Sequence, residues 1–197
     1  MKTLKQLNEA YADEFIDSES RRLIIEKLKN ALKEEFNAWY GYIIVKDFLV
    51  GSQRPDVCKL YEDTAKDELE DHAYWLMKRI NELGGTIEDI SESPASWLTA
   101  DHTYRPPKWE HKFSNQSGII GEDGIVISLQ RTLFTNISNE KDAIETYREL
   151  IEIAQQSKDW TTEKKCKEIL ADEEEHLQLL QDFLDDLIES RKEIDKI

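Results

Sequence analysis

Three of the four prolines in the 197-residue sequence, Pro94, Pro106 and Pro107, fall between residues 86 and 122, and the segments on either side are nearly free of helix breakers. Inside a helix proline costs about 3 kcal/mol and glycine about 1 kcal/mol, so keeping both out of long segments leaves those segments free to run as uninterrupted helices. Charged residues make up 35% of the chain, and its apolar residues return at three- to five-residue steps rather than alternating. Together these features favour an all-α protein. The length suffices for a core that needs no disulfide or metal staple, and one domain over 1–197 is the expectation.

Thr3 to Phe15 is a short amphipathic stretch, and Asp17-Ser18 after it can cap a helix. The spacing predicts helix A over 19–50, where Leu23, Leu28, Leu32, Phe36, Trp39, Ile43 and Phe48 recur ahead of Gly51. Helix B follows over 55–83, opened by Pro55 and closed by Gly84-Gly85. Helices C (124–156) and D (161–190) are parted by Ser157-Lys158-Asp159. Residues 86–122 lack helical periodicity and carry Trp97, Tyr104 and Trp109, aromatics suited to pinning a long connection to the bundle surface. Two short links and one long one fit a four-helix bundle of two hairpins joined by a crossover between B and C.

Setting one hairpin on the other reveals an internal repeat. Glu35, Tyr42 and Glu68 each have a counterpart 105 positions on, in Glu140, Tyr147 and Glu173, while His72 and His176 are 104 apart. Each hairpin thus places a glutamate 33 residues before a second glutamate, which a histidine follows at the fourth position (Glu68, His72) or the third (Glu173, His176). On an α-helix both spacings put carboxylate and imidazole on one face. Two such faces and two further glutamates make a two-metal site like that of the carboxylate bundles, with Glu68 and His72 departing by one residue from the Glu-x-x-His pattern. Glu70, on the far side of its helix from His72, is a poor substitute for Glu68.

Four buried carboxylates repel one another unless cations neutralise them, and two divalent ions would balance them. Oxygen-rich ligands with one imidazole per metal suit iron or manganese better than structural zinc. Tyr42 and Tyr147, two turns beyond Glu35 and Glu140, could hydrogen-bond a ligating carboxylate or lose an electron during metal oxidation, and equally suit core packing. Trp39, Trp75 and Trp160 suit the core or an interface, and His102 and His111 suit the surface of the connection.

With 42 acidic against 26 basic residues the net charge is −16, which repels nucleic acid and attracts cations. Cys58 and Cys166, far apart and outside any CxxC spacing, suggest neither a disulfide framework nor a cysteine zinc site. No apolar run reaches membrane-spanning length and the N-terminal residues lack a signal-peptide pattern, so a cytoplasmic protein without membrane partners is the expectation.

The residues AlaLeuLysGluGluPhe (31–36), GluLeuGluAspHis (68–72) running into ArgIleAsnGluLeuGlyGly (79–85), and AspGluGluGluHis (172–176) resemble the ferritin superfamily, and within it the Dps-like branch of archaea and bacteria. The resemblance covers about residues 20–190. It implies a ferritin-like bundle, two irons per subunit oxidised by hydrogen peroxide or dioxygen, and a hollow cage of twelve subunits that stores ferric mineral, hence iron detoxification under oxidative stress. Many members of that branch carry a cysteine pair near the site; Trp97 and Asp142 stand in those places here, so no thiol-dependent step is carried over. No lysine-rich tail precedes the bundle, so neither is DNA binding.

In this reading Glu35 and Glu140 are terminal ligands, Glu68 and Glu173 bridge, and His72 and His176 supply one imidazole per metal. The competing readings are a non-storage di-iron or di-manganese oxidase or catalase acting on a small molecule, and a helical scaffold with a degenerate site.

Overall fold

The computed structural model describes residues 3–12, 14–48, 54–87, 119–121, 124–126 and 129–194. A short helix, α1 (Leu4–Ala12), precedes α2 (Ser18–Phe48). The second long helix comprises α3 (Arg54–Lys66), a π-helical segment (Asp67–Ala73) and α4 (Tyr74–Glu82). Two three-residue strands, β1 (Ile119–Gly121) and β2 (Gly124–Val126), pair antiparallel ahead of α5 (Leu129–Gln156) and α6 (Trp160–Ile194). The fold is an all-α four-helix bundle with the long crossover between its second and third long helices. Among the described residues no helix is long and apolar enough to cross a membrane.

Local chemistry sets the helix ends. Asp17 Oδ1 accepts from the Ser20 N–H at 2.9 Å and so caps α2. At the end of α4, Gly85 N–H donates to the Ile80 carbonyl and Gly84 N–H to that of Asn81, a Schellman motif that needs a left-handed residue. Gly84 supplies it, with φ 81°, and a Cβ there would lie 2.4 Å from Glu9 Cγ of α1. The third long helix begins five residues later than the expected Gly124. Gly124, Ile125 and Val126 pair instead with Ile119–Gly121, as suits glycine and β-branched residues that helices disfavour. The fourth helix runs on to Ile194.

The expected connection falls mostly on 88–118, so Trp97, His102, Tyr104, Trp109 and His111 lie outside the described residues. Trp39 and Trp75 pack against the core, whereas Trp160, at the first position of α6, is 61% exposed and so not in the core. Cys166 is buried and Cys58 half-buried, and both are free thiols.

Between the hairpin partners α5 and α6, Lys158 takes the left-handed position (φ 59°) and Asp159 caps α6, accepting from Thr162 N–H at 3.1 Å. The same carboxylate takes a 2.7 Å hydrogen bond from Arg79, whose Nε donates to Thr162 Oγ1, tying the two hairpins together. Asp159→Ala removes the cap and leaves a largely buried guanidinium short of its anion. It should lower unfolding free energy by about 3 kcal/mol in denaturant titration.

Two apolar clusters fill the interior. One centres on Ile24, Leu28, Leu32, Leu76, Ile80, Leu150 and Ile169, the other on Val45, Val57, Leu133, Leu180 and Leu184. On the second, third and fourth long helices a buried acid (Glu68, Glu140, Glu173) separates the residues of one cluster from those of the other, and on α2 Glu35 stands beside Phe36 at the same boundary. Those acids make one polar layer across the middle of the bundle.

Candidate metal centre

Glu35 on α2, Glu68 and His72 in the π segment, Glu140 on α5 and Glu173 on α6 are each no more than 2% exposed, and His176 is nearly as buried. The structure brings all six together in two overlapping groups. Glu35, Glu68, His72 and Glu173 form one, and Glu68, Glu140, Glu173 and His176 the other, each residue offering a ligand atom within 4.8 Å of the rest of its group. Glu68 and Glu173 belong to both. Glu70 is exposed.

The one-residue departure at His72 has a local cause. The π turn carries one more residue than an α turn, so a four-residue step inside it aims His72 where the three-residue step on α6 aims His176. The extra residue is the reason the histidines repeat at 104 positions rather than 105. Deleting exposed Glu70 should therefore relax the π turn to α and leave both flanking faces in register. Deleting Lys78 in α4 should instead rotate the remainder of that helix by about 100° and misplace Leu83. Thermal unfolding of the two deletions should differ strongly; equal losses would refute the inserted-residue account.

His72 Nδ1 lies 3.1 Å from Glu68, 3.2 Å from Glu173 and 3.4 Å from Glu35. His176 Nδ1 is 3.5 Å from Glu68 and 3.7 Å from Glu173. The outward nitrogens meet acids that spacing did not single out: His72 Nε2 lies 3.3 Å from Asp172, and His176 Nε2 3.5 Å from Asp67. Each histidine is thus held by the residue before the shared glutamate of the opposite helix. Asp67 and Asp172 themselves stand 105 apart, a signal the repeat did contain. Tyr42 donates its hydroxyl to Glu140 and Tyr147 donates to Glu35, one phenol at each end of the layer.

Burial, then the charges of Glu68 and Glu173, hold the Glu35 carboxyl well above its usual range, and burial with the same two neighbours does so for Glu140. Burial alone would push both imidazoles down, but the surrounding carboxylates outweigh it. His72 is held far above its ordinary value and His176 is raised to about 11. Burial also opposes ionisation of Glu68, yet the neighbouring Glu35, His176 and His72 hold it well below the usual range.

The donor set fits a pair of divalent cations. Glu68 Oε1, Glu173 Oε1 and His176 Nδ1 are buried without a hydrogen-bond partner and belong to the facing groups, a condition that two ions in the layer would satisfy.

Comparison with known proteins agrees with the fold. A family model for the ferritin-like domain matches residues 25–190. No curated protein matches the sequence. Among solved structures, a ferritin-like diiron-carboxylate protein of Bacillus anthracis is 22% identical, with a TM-score of 0.63 over 85% of this chain and 99% of that one. Dps from Thermosynechococcus elongatus is 18% identical, with a TM-score of 0.66 over 85% and 93%. An archaeal Dps homologue of Halobacterium salinarum is also 18% identical, at 0.66 over 85% and 82%.

Proposed function

The chain belongs to the ferritin-like family, and on that premise we propose that it is a ferroxidase that takes Fe2+ between Glu35, Glu68, His72, Glu140, Glu173 and His176 and stores the ferric product in a homo-oligomeric cage. The observation that carries the reading is the pair of buried groups sharing Glu68 and Glu173, one imidazole in each. Two ferrous ions held side by side can together deliver the two electrons that reduce one peroxide to water. Iron fits the donor set as well as manganese does, and the −16 charge concentrates either cation around the protein.

The chain's own groups supply the rest. Glu68 and Glu173 hold both ions at once, Glu35 and Glu140 close the two ends, and the phenols of Tyr42 and Tyr147 fix those end carboxylates by hydrogen bonds. Asp172 and Asp67 orient the imidazoles so that each Nδ1 faces inward. A dodecamer in the cytoplasm, free of nucleic acid and membrane, is the setting proposed.

Light scattering of the purified protein before and after Fe2+ loading with peroxide or air, with metal analysis, tests assembly and chemistry together. A large assembly that retains far more iron than two ions per subunit is expected. Oxidation without retention would favour the non-storage oxidase, and failure to bind iron would favour the scaffold.

A further inference from the structure

One flank of the carboxylate layer is polar in a way the other is not. On α5, Asn136 stands one turn before Glu140, and on α3, Tyr61 stands two turns before Glu68, so both share the interior strip of those acids. Tyr61 is fully buried and Asn136 is 3% exposed. The Tyr61 ring packs on Tyr42, centroids 5.1 Å apart, and Tyr42 is the phenol that donates to Glu140. The Asn136 side chain lies near enough to the Tyr61 hydroxyl to ease the ionisation that burial opposes. Yet neither Tyr61 Oη nor Asn136 Nδ2 completes a hydrogen bond among the described residues, although Val57, Leu133 and Ile137 make the surroundings apolar.

The internal repeat exposes the asymmetry. At the same 105-residue offset, Tyr61 corresponds to Cys166, and Asn136 to Ala31. Those two residues are buried with Tyr147 in the apolar cluster beyond Glu35, and neither leaves an orphaned polar atom there. One flank therefore closes with a thiol and a methyl, and the other with a phenol oxygen and an amide nitrogen that complete no hydrogen bond among the described residues. Native interiors meet such groups with a small hydrogen-bonding molecule.

We propose that Tyr61 and Asn136 form a binding site for one small hydroxylic molecule beside the carboxylate layer, water at rest and hydrogen peroxide when the oxidant arrives. Asn136 Nδ2 donates to an oxygen of the guest, and the Tyr61 hydroxyl either accepts from it or donates to it. Water and peroxide have both a proton to give and lone pairs to offer; dioxygen has no proton and accepts weakly. The site therefore selects the polar oxidant and holds it about one helical turn from Glu140. This deepens the ferroxidase reading and rests on it.

Tyr61→Phe removes only the hydroxyl, and Asn136→Leu keeps the branched shape without its polar atoms. In either, the KM for hydrogen peroxide in Fe2+ oxidation should rise about fivefold, the loss of one neutral hydrogen bond. The ratio of peroxide-driven to dioxygen-driven rates at low oxidant should fall by the same factor. Without iron, titrating peroxide into the metal-free protein should produce a saturable near-ultraviolet tyrosine signal that Tyr61→Phe abolishes. If one variant loses its helical circular dichroism, the other carries the test. Active protein whose KM for peroxide is unmoved by both substitutions holds water only there, and the proposal is overturned while the ferroxidase reading stands. Should the unaltered protein oxidise Fe2+ with neither oxidant, the ferroxidase reading falls, and the metal-free titration decides alone: absence of a Tyr61-dependent signal overturns the site.

Discussion

Glu173→Ala should empty both halves of the centre at once, whereas Glu35→Ala and Glu140→Ala should each weaken only one. Glu173 belongs to both ligand groups, while Glu35 and Glu140 belong to one apiece. Losing a group that merely orients a ligand costs about 10- to 100-fold in metal affinity, so losing a ligand shared by two ions should cost more than that. Tightly bound metal should fall from two ions per subunit to a trace, and the initial ferroxidation rate with it. The metal-free fold should survive, because ionised Glu68 remains 3.1 Å from His72 and keeps that buried imidazole compensated. Glu70→Ala, at an exposed position of the same π segment as Glu68, is the control and should change neither quantity. Metal analysis and stopped-flow absorbance decide the matter. Ferroxidation at the unaltered rate in Glu173→Ala would refute the site.

The bundle and its polar layer are legible in the sequence because two periodicities reinforce each other. Helical spacing of apolar residues locates the long helices, and the 105-residue repeat locates the acids that interrupt the core on each of them. The repeat even contains the π turn, since one residue inserted between Glu68 and His72 is what separates 104 from 105. On an assumed α-helix that residue looks like a weakness in the second helix rather than a change of helix type. Asp67 and Asp172 are hidden for another reason: a carboxylate adjacent to a ligand points to a different face of its own helix, and only the packing of two helices turns it toward the partner's histidine. Gly124 to Val126 read as the start of the third long helix because neither a proline nor a polar cluster separates them from it, and the strand pairing there depends on Ile119 and Ile120, earlier in the sequence. Tyr61 and Asn136 give no signal by themselves. Their polarity stands out only once burial shows what surrounds them.

Loading two divalent ions at neutral pH should expel protons, at least one per ion, because metal ligands must give up their protons and the two imidazoles hold them. Burial and the neighbouring glutamate charges raise Glu35 and Glu140 toward holding a proton. His72 and His176 keep one because the same carboxylates outweigh the effect of burial, His176 up to about 11. Glu68, held below the usual range, is already ionised and adds nothing. Each ion thus competes with at least one proton, so affinity should rise about 10-fold or more per ion for each pH unit between roughly 6 and 8, with the slope flattening as pH approaches the His176 value. The sign for the metal-free fold is opposite. A group whose folded value is raised stabilises the fold fully below its unfolded value, 4.5 for the glutamates and 6.5 for the histidines, and that contribution is lost as pH climbs through the folded value. Metal-free protein should therefore weaken toward alkaline pH while the loaded protein tightens. Co2+ titrated into weakly buffered protein with a pH indicator measures the release without protons from iron oxidation. Glu140→Gln, which imitates the protonated carboxyl, should release fewer protons while leaving the metal-free protein near its original stability. Release of well under one proton per ion in the unaltered protein would mean that the layer has given up its protons before metal arrives, with its charge balanced in some other way.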